Sequence, residues 1–346
     1  MTDIAARPPL GLTAKDFKTD QEVRWCPGCG DYAVLAAVQG FLPELNIARE
    51  NTVFISGIGC SSRFPYYMNT YGMHSIHGRA PAIATGLSTS RPDLSVWVVT
   101  GDGDALSIGG NHLMHALRRN VNLKILLFNN RIYGLTKGQY SPTSEVGKVT
   151  KSSPYGSLDA PFNPVSLALG AEATFVGRSL DSDRQHLTSV LRAAAEHEGT
   201  ALVEIYQNCN IFNDGAFDSV KDPETRDDYF IRLEHGKPIR FGKNGTRAVV
   251  RDASTGALGL ADDVADDDPR VVIHDAHAED PSAAFALSRL QSIDVRYSPM
   301  GVLRDVRRPT YDSMMAAQLD EAAAAAPASE DALADLLRGA DSWTVV

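Results

Sequence analysis

The run Val96-Trp97-Val98-Val99-Thr100-Gly101-Asp102-Gly103-Asp104 decides the fold of this chain. Its first half is apolar or β-branched, and it passes directly into a turn of alternating glycine and aspartate. A short apolar run that ends at turn residues is typical of a buried strand in a parallel sheet. Ligands of such sheets gather at the carboxyl ends of the strands. We therefore expect Asp102 to lie at a binding site.

Short β-branched segments alternate with longer helical segments on both sides of this run. The candidate strands are 52–56, 95–100, 123–128, 174–176 and 201–206, and the candidate helices are 80–89, 110–119, 164–169 and 182–197. This alternation predicts an α/β fold with a mostly parallel sheet that carries helices on both faces. Several strand ends would then meet at one edge, and they carry Gly57-Ile58-Gly59-Cys60, Gly101-Asp102-Gly103, Asn129-Asn130 and Cys209.

Asp102 and Asn130 are candidate ligands of a magnesium ion. A carboxylate, an amide oxygen and a backbone carbonyl two residues on are hard oxygen ligands, which Mg²⁺ prefers alongside phosphate oxygens. The spacing therefore fits a clamp for a metal and a diphosphate. The alternative is that Gly101-Asp102-Gly103 is an ordinary turn and Asn129-Asn130 a helix cap. A dinucleotide site is disfavoured, because no Gly-x-Gly-x-x-Gly opens a helix after the first strand.

The chain has four cysteines, which is one full set of ligands for a cubane iron–sulfur cluster. Cys26 and Cys29 form a Cys-x-x-Cys pair, while Cys60 and Cys209 stand alone beside glycine or asparagine. A cluster is the favoured interpretation, and structural zinc or dithiol redox chemistry stay open. Zinc sites usually contain two Cys-x-x-Cys pairs, whereas this chain has one. A thioredoxin-like role requires a strand before Cys26, and the sequence shows no convincing strand there.

The net charge and the lengths of the apolar stretches indicate which partners and which compartment to expect. The chain has 43 acidic against 33 basic residues, a formal net charge of −10, which disfavours nucleic acid and anionic membrane surfaces as partners. No apolar stretch reaches the length of a signal-peptide core or a membrane span. We expect a cytoplasmic protein, in which cysteines are more often metal ligands or redox groups than disulfides.

Four segments are expected along the chain. They are an N-terminal arm at 1–20, the domain that binds the diphosphate and the cluster at 21–213, a C-terminal appendage at 214–310, and a tail at 311–346 that could serve as a docking arm. The appendage should contain a hairpin around Gly242-Lys243-Asn244-Gly245, a strand-like run at 271–274 and a helix at 282–291. A short helix is expected in the tail at 330–338.

Two motifs together resemble a known family. Gly101-Asp102-Gly103 with Asn129-Asn130 resembles the thiamine diphosphate motif. Its continuation, Ile132-Tyr133-Gly134-Leu135-Thr136-Lys137-Gly138-Gln139, is similar to the β subunit of the 2-oxoacid:ferredoxin oxidoreductases, as are Trp25-Cys26-Pro27-Gly28-Cys29-Gly30 and His77-Gly78-Arg79. Within that family the likeness is greatest to 2-oxoglutarate:ferredoxin oxidoreductase, and it covers residues 15–310.

The resemblance implies a thiamine diphosphate-binding fold that also holds Mg²⁺ and a [4Fe-4S] cluster. It assigns the cluster to Cys26, Cys29, Cys60 and Cys209, and Mg²⁺ to Asp102, Asn130 and the carbonyl of Ile132. The implied contacts of thiamine diphosphate are Ile58, Gly59, Cys60, Ser61, His77, Gly103, Asp104, Gly134 and Leu135. Lys137 would pair with a substrate carboxylate. Without the resemblance, His77 could equally start a helix and Lys137 could be an ordinary solvated lysine.

The implied reaction is the coenzyme A-dependent oxidative decarboxylation of 2-oxoglutarate to succinyl-CoA and CO2, with electrons passing through the cluster to ferredoxin. The carboxylate that activates the cofactor would come from an α subunit, so the chain should be inactive alone. Pyruvate or a branched-chain 2-oxoacid is the alternative substrate. A non-redox thiamine-dependent decarboxylase and a zinc-holding assembly protein are the alternative functions.

Overall fold

The computed structural model describes residues 9–292, 296–325, 331–340, 343 and 345. The strands are β1 Thr52–Ser56, β2 Tyr71–His74, β3 Ser95–Gly101, β4 Lys124–Asn129, β5 Phe175–Leu180, β6 Ala201–Tyr206, β7 Phe230–Leu233, β8 Arg240–Phe241, β9 Arg247–Arg251, β10 Leu258–Ala261 and β11 Ser298–Asp305. The helices are α1 Asp31–Phe41, α2 Ala80–Ser90, α3 Asp102–Leu106, α4 Gly110–Arg119, α5 Pro164–Gly170, α6 Arg184–Glu196, α7 Asp218–Lys221, α8 Arg226–Tyr229, α9 Ser282–Ser288, α10 Tyr311–Ala325 and α11 Ala332–Arg338.

The described strands form one large sheet in the order β2-β1-β3-β4-β6-β5-β11-β7. Neighbouring strands run parallel except for β5 and β11, which are antiparallel. Every residue of β4 and of β6 is buried. Strands buried on both faces read as continuous apolar runs rather than alternating ones, which is why the sequence predicted them. The expected α/β fold with a mostly parallel sheet is confirmed.

Two apolar cores cover the two faces of this sheet. Successive residues of a strand point to opposite faces, so Val98 packs with α2 and α4 while Trp97 packs with α1 and α6. Helices α5 and α9 complete the first core. The arrangement confirms that helices lie on both faces, and it leaves the carboxyl edge of the sheet to loops.

Most predicted elements are present, and most of their bounds are within two residues of the prediction. The strand predicted at 174–176 continues to Leu180, and the helix predicted at 282–291 ends at Ser288. Strand β2 was not predicted. All four of its residues are exposed at the edge of the sheet, so this strand has no pattern of buried residues to detect. The sequence interpretation also missed α1, β7 and β11. The run at 271–274 was wrongly predicted as a strand, since Val271 and Ile273 make only isolated bridges. Pro238 is one bridge partner, and it has no amide hydrogen to extend a ladder.

The segment 214–310 is divided between two sheets. Strands β7 and β11 join the large sheet, whereas β8, β9 and β10 form a separate antiparallel sheet. The predicted hairpin at 242–245 connects β8 to β9 and is confirmed.

In the tail, helix α10 begins where Asp312 accepts a hydrogen bond from the backbone of Asn122, and the helix buries no side chain. None of the helices in the described part of the chain is both long and apolar enough to span a bilayer.

Candidate active site at the carboxyl edge of the sheet

A cavity of about 530 Å³ opens where β1, β3 and β4 end. The parallel direction of these strands brings three loops that are distant in sequence to one place. The predicted contacts of thiamine diphosphate and Mg²⁺ all line this cavity; they are Ile58, Gly59, Cys60, Ser61, His77, Asp102, Gly103, Asp104, Asn130, Ile132, Gly134 and Leu135. The wall also includes Thr136, Gln139 and Tyr140.

Asp102 begins helix α3 directly after β3 and is buried. One of its carboxylate oxygens, Oδ2, accepts hydrogen bonds from Ser141 Oγ at 2.5 Å and Thr143 Oγ1 at 2.6 Å. Burial raises the pKa of Asp102, and these two hydroxyl donors oppose the shift. The loop that follows β4 therefore holds this carboxylate oxygen through two hydrogen bonds.

Asn129 and Asn130 are held in fixed orientations by hydrogen bonds. Asn129 Nδ2 donates to Glu204 Oε1 at 2.7 Å, and Glu204 is in turn paired with Arg178 in a fully buried ion pair. Asn130 Oδ1 accepts from the backbone N–H of Ile132 at 3.1 Å. An amide whose oxygen is fixed in this way is organised to bind a cation.

Asp104 is the buried acceptor that organises the loop after β1. Its Oδ1 accepts from the backbone N–H groups of Ile58, at 3.2 Å, and Gly78, at 2.8 Å, and it pairs with His77 Nδ1 at 2.5 Å. Its Oδ2 accepts from Thr100 Oγ1 at 2.7 Å. Gly57 is required for this arrangement, because a Cβ at that position would lie 1.8 Å from Asp104 Oδ2.

The floor of the cavity depends on close approach to glycine. The ring of Tyr133 lies against Gly103, where an added Cβ would be 2.3 Å from the ring, and the Tyr133 hydroxyl donates to Gly103 O at 2.9 Å. A Cβ on Gly134 would lie 3.5 Å from Cys60 Sγ and 3.6 Å from Cys209 Sγ. Cys60, which lines the cavity, and Cys209 thus lie close together beside Gly134 although they are distant in sequence.

The remaining two cysteines are close to this pair. The turn at Cys26 and Cys29 is closed by the hydrogen bond from Cys29 N to Cys26 O, at 3.1 Å. Burial raises the pKa of Cys60 to about 12, and the neighbouring Cys209 and Cys26 add to the shift. Burial likewise raises the pKa of Cys29, with contributions from Cys209 and Cys60. All four thiols are free.

The positions of the four cysteines are compatible with a cluster. Across residues 9–292 and the later described segments, no three His, Cys, Asp or Glu side chains are spaced to hold a single metal ion. The thiolates of a [4Fe-4S] cluster bind different iron atoms, so they need not converge on one point. Cysteine ligands must be deprotonated when they bind a metal, so a bound cluster would convert these thiols to thiolates.

Lys137 differs in position from the other predicted residues. It is exposed, with a φ of 75°, on the tight turn in which Tyr133 N donates to Gln139 O, and its side chain does not line the cavity. The sequence interpretation also overlooked Ser141, Thr143 and Gln207. The hydroxyl-rich Ser141-Pro142-Thr143-Ser144 was a usable signal, because buried hydroxyls need hydrogen-bond partners.

Comparisons with known proteins agree with this geometry. Residues 57–205 match the family described as thiamine pyrophosphate enzyme, C-terminal TPP binding domain. The 2-oxoglutarate oxidoreductase subunit KorB of Mycobacterium tuberculosis is 65% identical over 331 residues, which are 96% of this chain and 88% of that protein. Subunit beta of 2-oxoacid:ferredoxin oxidoreductase 1 from Aeropyrum pernix is 45% identical over 198 residues, 57% of this chain and 62% of that protein.

A solved structure gives the same result. The 2-oxoglutarate:ferredoxin oxidoreductase from Magnetococcus marinus, with 2-oxoglutarate, coenzyme A and succinyl-CoA bound, superposes with a TM-score of 0.75 and 33% identity. The match covers 95% of this chain and 97% of that chain. The resemblance expected from the motifs is confirmed. The chain belongs to the family of 2-oxoacid:ferredoxin oxidoreductase β subunits that includes the KorB subunits of 2-oxoglutarate oxidoreductases.

Proposed function

We propose that this chain is the β subunit of a 2-oxoglutarate:ferredoxin oxidoreductase. With an α subunit it would convert 2-oxoglutarate, coenzyme A and oxidised ferredoxin to succinyl-CoA, CO2 and reduced ferredoxin. The observation that carries the proposal is the position of Cys60, which lines the same cavity as Asp102 and Asn130. A cofactor held by Asp102 and Asn130 would therefore lie beside a cluster that is held in part by Cys60. Relatives named for this activity support the same assignment.

The residues of the cavity fit a magnesium diphosphate. Asp102, Asn130 and the carbonyl of Ile132 would hold Mg²⁺, and the glycines near them leave room for phosphate oxygens. When bound, thiamine diphosphate supplies the electron sink for decarboxylation, and the cluster accepts the electrons. With Asp104 as acceptor, Nδ1 of His77 donates to the carboxylate, which fixes the orientation of the imidazole at the cavity wall.

An α subunit would complete the site. Thiamine enzymes need a carboxylate to activate the aminopyrimidine ring, and the described carboxylates of the cavity wall are Asp102 and Asp104. Asp102 is engaged by hydroxyl donors and Asp104 by two backbone N–H groups, a histidine and a threonine. Two exposed apolar residues of the cavity wall, Ile58 and Leu135, are 41% and 44% accessible and support a covering partner.

The substrate and the electron acceptor are finer parts of the proposal. Lys137 would pair with the second carboxylate of 2-oxoglutarate once the turn that carries it closes over the cavity. Pyruvate or a branched-chain 2-oxoacid is the alternative, since Lys137 does not line the cavity. Ferredoxin would dock near Cys26, the exposed member of the four cysteines. The proposed compartment is the cytoplasm, where thiols stay reduced.

Electron paramagnetic resonance on the anaerobically purified α–β complex tests this function. Adding 2-oxoglutarate and coenzyme A should produce a radical or reduced-cluster signal. Asp102→Asn is the matched variant, which should keep a cluster reducible by dithionite but lose the signal that substrate produces. A wild-type complex that contains zinc instead of iron would overturn the proposal. Reduction by pyruvate but not by 2-oxoglutarate would overturn the substrate assignment.

A further inference from the structure

Gln207 joins the two halves of the candidate site. It follows β6, is only 1% exposed, and is not among the predicted ligands. Its side-chain oxygen Oε1 accepts from Asn130 Nδ2 at 2.9 Å. Its nitrogen Nε2 donates to Cys29 Sγ at 3.3 Å and to Asn208 O at 2.6 Å. One buried amide therefore contacts a candidate ligand of Mg²⁺ and a candidate ligand of the cluster.

The direction of this hydrogen-bond chain is unambiguous. The backbone N–H of Ile132 points at Asn130 Oδ1, so Asn130 must present Nδ2 to Gln207. Gln207 must then present Oε1 to Asn130, and both N–H bonds of Nε2 are used by Asn208 O and Cys29 Sγ. The backbone N–H of Gln207 is itself fixed by a bond of 2.9 Å to Asn129 O. The two side-chain bonds that link Asn130 to Cys29 thus both donate in the direction of the sulfur.

We propose that Gln207 is a positioning residue that couples cation binding at Asn130 to the reduction of the cluster at Cys29. This inference rests on the proposed function, because it needs both groups to be present. The side chain would transmit the effect through its hydrogen bonds with Asn130 and Cys29, and it does not line the cavity.

The coupling has a definite sign. A cation at Asn130 Oδ1 withdraws electron density from the amide and makes Nδ2–H a stronger donor to Gln207. Gln207 is polarised in turn and donates more strongly to Cys29 Sγ. Hydrogen bonds to cluster sulfurs help to set the reduction potential, and a stronger donor favours the more negative, reduced state. Bound Mg²⁺ should therefore make the cluster easier to reduce. By linkage, the protein with a reduced cluster should bind Mg²⁺ more tightly than the protein with an oxidised cluster, and the two equilibrium constants should change by the same factor.

The test is a redox titration of the cluster, followed by electron paramagnetic resonance with dithionite as reductant. The α–β complex is titrated with and without Mg²⁺ and thiamine diphosphate, as wild type, Gln207→Met and Gln207→Glu. Methionine removes both hydrogen bonds, while glutamate keeps the acceptor for Asn130 and loses the donor to Cys29. We expect each variant to lower the ratio of reduced to oxidised cluster about tenfold, which is about 59 mV for one electron. The effect of Mg²⁺ on the potential should also shrink.

Gln291→Met is the matched control. Gln291 Nε2 donates to the hydroxyl of Tyr206, the residue before Gln207, and Gln291 Oε1 accepts from Asn163 Nδ2, so its side chain bonds elsewhere than to Cys29 or Asn130. This variant should match wild type in potential and in its response to Mg²⁺. A shift as large as that of Gln207→Met would mean that loss of any nearby amide is enough, and it would overturn the assignment.

The outcomes separate this inference from the function on which it rests. A wild-type complex without a reducible cluster would contradict the proposed function. A normal wild type with the same potential and Mg²⁺ response in both Gln207 variants would overturn the role of Gln207 alone. A change in potential that is equal with and without Mg²⁺ would overturn the coupling. If the variants lose the cluster, their Mg²⁺ affinity is measured instead, by calorimetric titration of thiamine diphosphate at graded Mg²⁺. An affinity equal to that of wild type without its cluster would contradict the inference.

Discussion

Thr143→Val tests how the loop after β4 holds the carboxylate of Asp102. Valine matches threonine in shape but has no hydroxyl, so it removes the donor that lies 2.6 Å from Asp102 Oδ2 and 2.9 Å from Asn129 Oδ1. Ser141 remains as the second donor to the same oxygen. We expect a folded variant with weakened Mg²⁺-dependent binding of thiamine diphosphate, because Asp102 is less firmly oriented.

The size of the effect follows from burial and from the number of donors. A hydrogen bond to a charged group contributes about 1.5–3 kcal/mol, and loss of a partner behind a metal ligand weakens metal affinity by about 10- to 100-fold. Thr143 is 4% exposed and Asp102 2%, so water does not readily replace the lost donor. Since Ser141 keeps half of the contact, we expect the lower end of this range, about tenfold or ~1.4 kcal/mol.

Isothermal titration of thiamine diphosphate at graded Mg²⁺, on the α–β complex, measures this affinity. Thr174→Val is the matched control, since its hydroxyl is equally buried at the amino edge of the sheet and donates to Asn120 Oδ1 at 2.6 Å. The control should lose free energy of unfolding but keep its Mg²⁺ affinity. Unchanged Mg²⁺ affinity in Thr143→Val would refute the reasoning, as would an equal loss of affinity in Thr174→Val.

Three further outcomes are expected. Lys137→Ala should lower kcat/KM for 2-oxoglutarate more than for pyruvate, because only the first substrate has a second carboxylate; equal losses in steady-state assays would contradict this. Gly57→Ala should abolish binding of thiamine diphosphate in calorimetry while the cluster signal remains, since the added Cβ would lie 1.8 Å from Asp104 Oδ2, and near-normal binding would mean that the loop simply shifts. Burial lowers the pKa of His186 from 6.5 to about 4, so the unfolded state takes up this proton first and the free energy of unfolding should fall as the pH drops from 6.5 toward 4. His186→Gln should flatten that part of the profile by up to about 3 kcal/mol in denaturant titrations, and identical profiles would show that folding does not lower the pKa of His186.

The fold was predictable because its signals are local. Strands β1 and β6 have the predicted bounds, since each is a short apolar run closed by turn residues. Strand β2 could not be predicted, because it is exposed along its whole length and exists only as an edge that pairs with β1. The run at 271–274 has strand composition but lacks a continuous partner.

The candidate site was predictable in part. The residues that directly follow buried strands, such as Asp102 and Asn130, surround one cavity as expected. Lys137 was placed by resemblance alone, and it lies on an exposed turn outside the cavity wall. Its assignment stays a prediction.

The sequence by itself determined the class of fold, the strand ends that carry chemistry and the family resemblance, because each depends on residues that are neighbours in the chain. Tertiary structure alone decided how those residues are held. Thr143 reaches Asp102 across 41 positions, and Gln207 reaches Cys29 across 178. A local pattern can suggest that such a side chain needs a hydrogen-bond partner, but it does not name the partner, since the two meet only when parallel strands bring their carboxyl ends to a common edge.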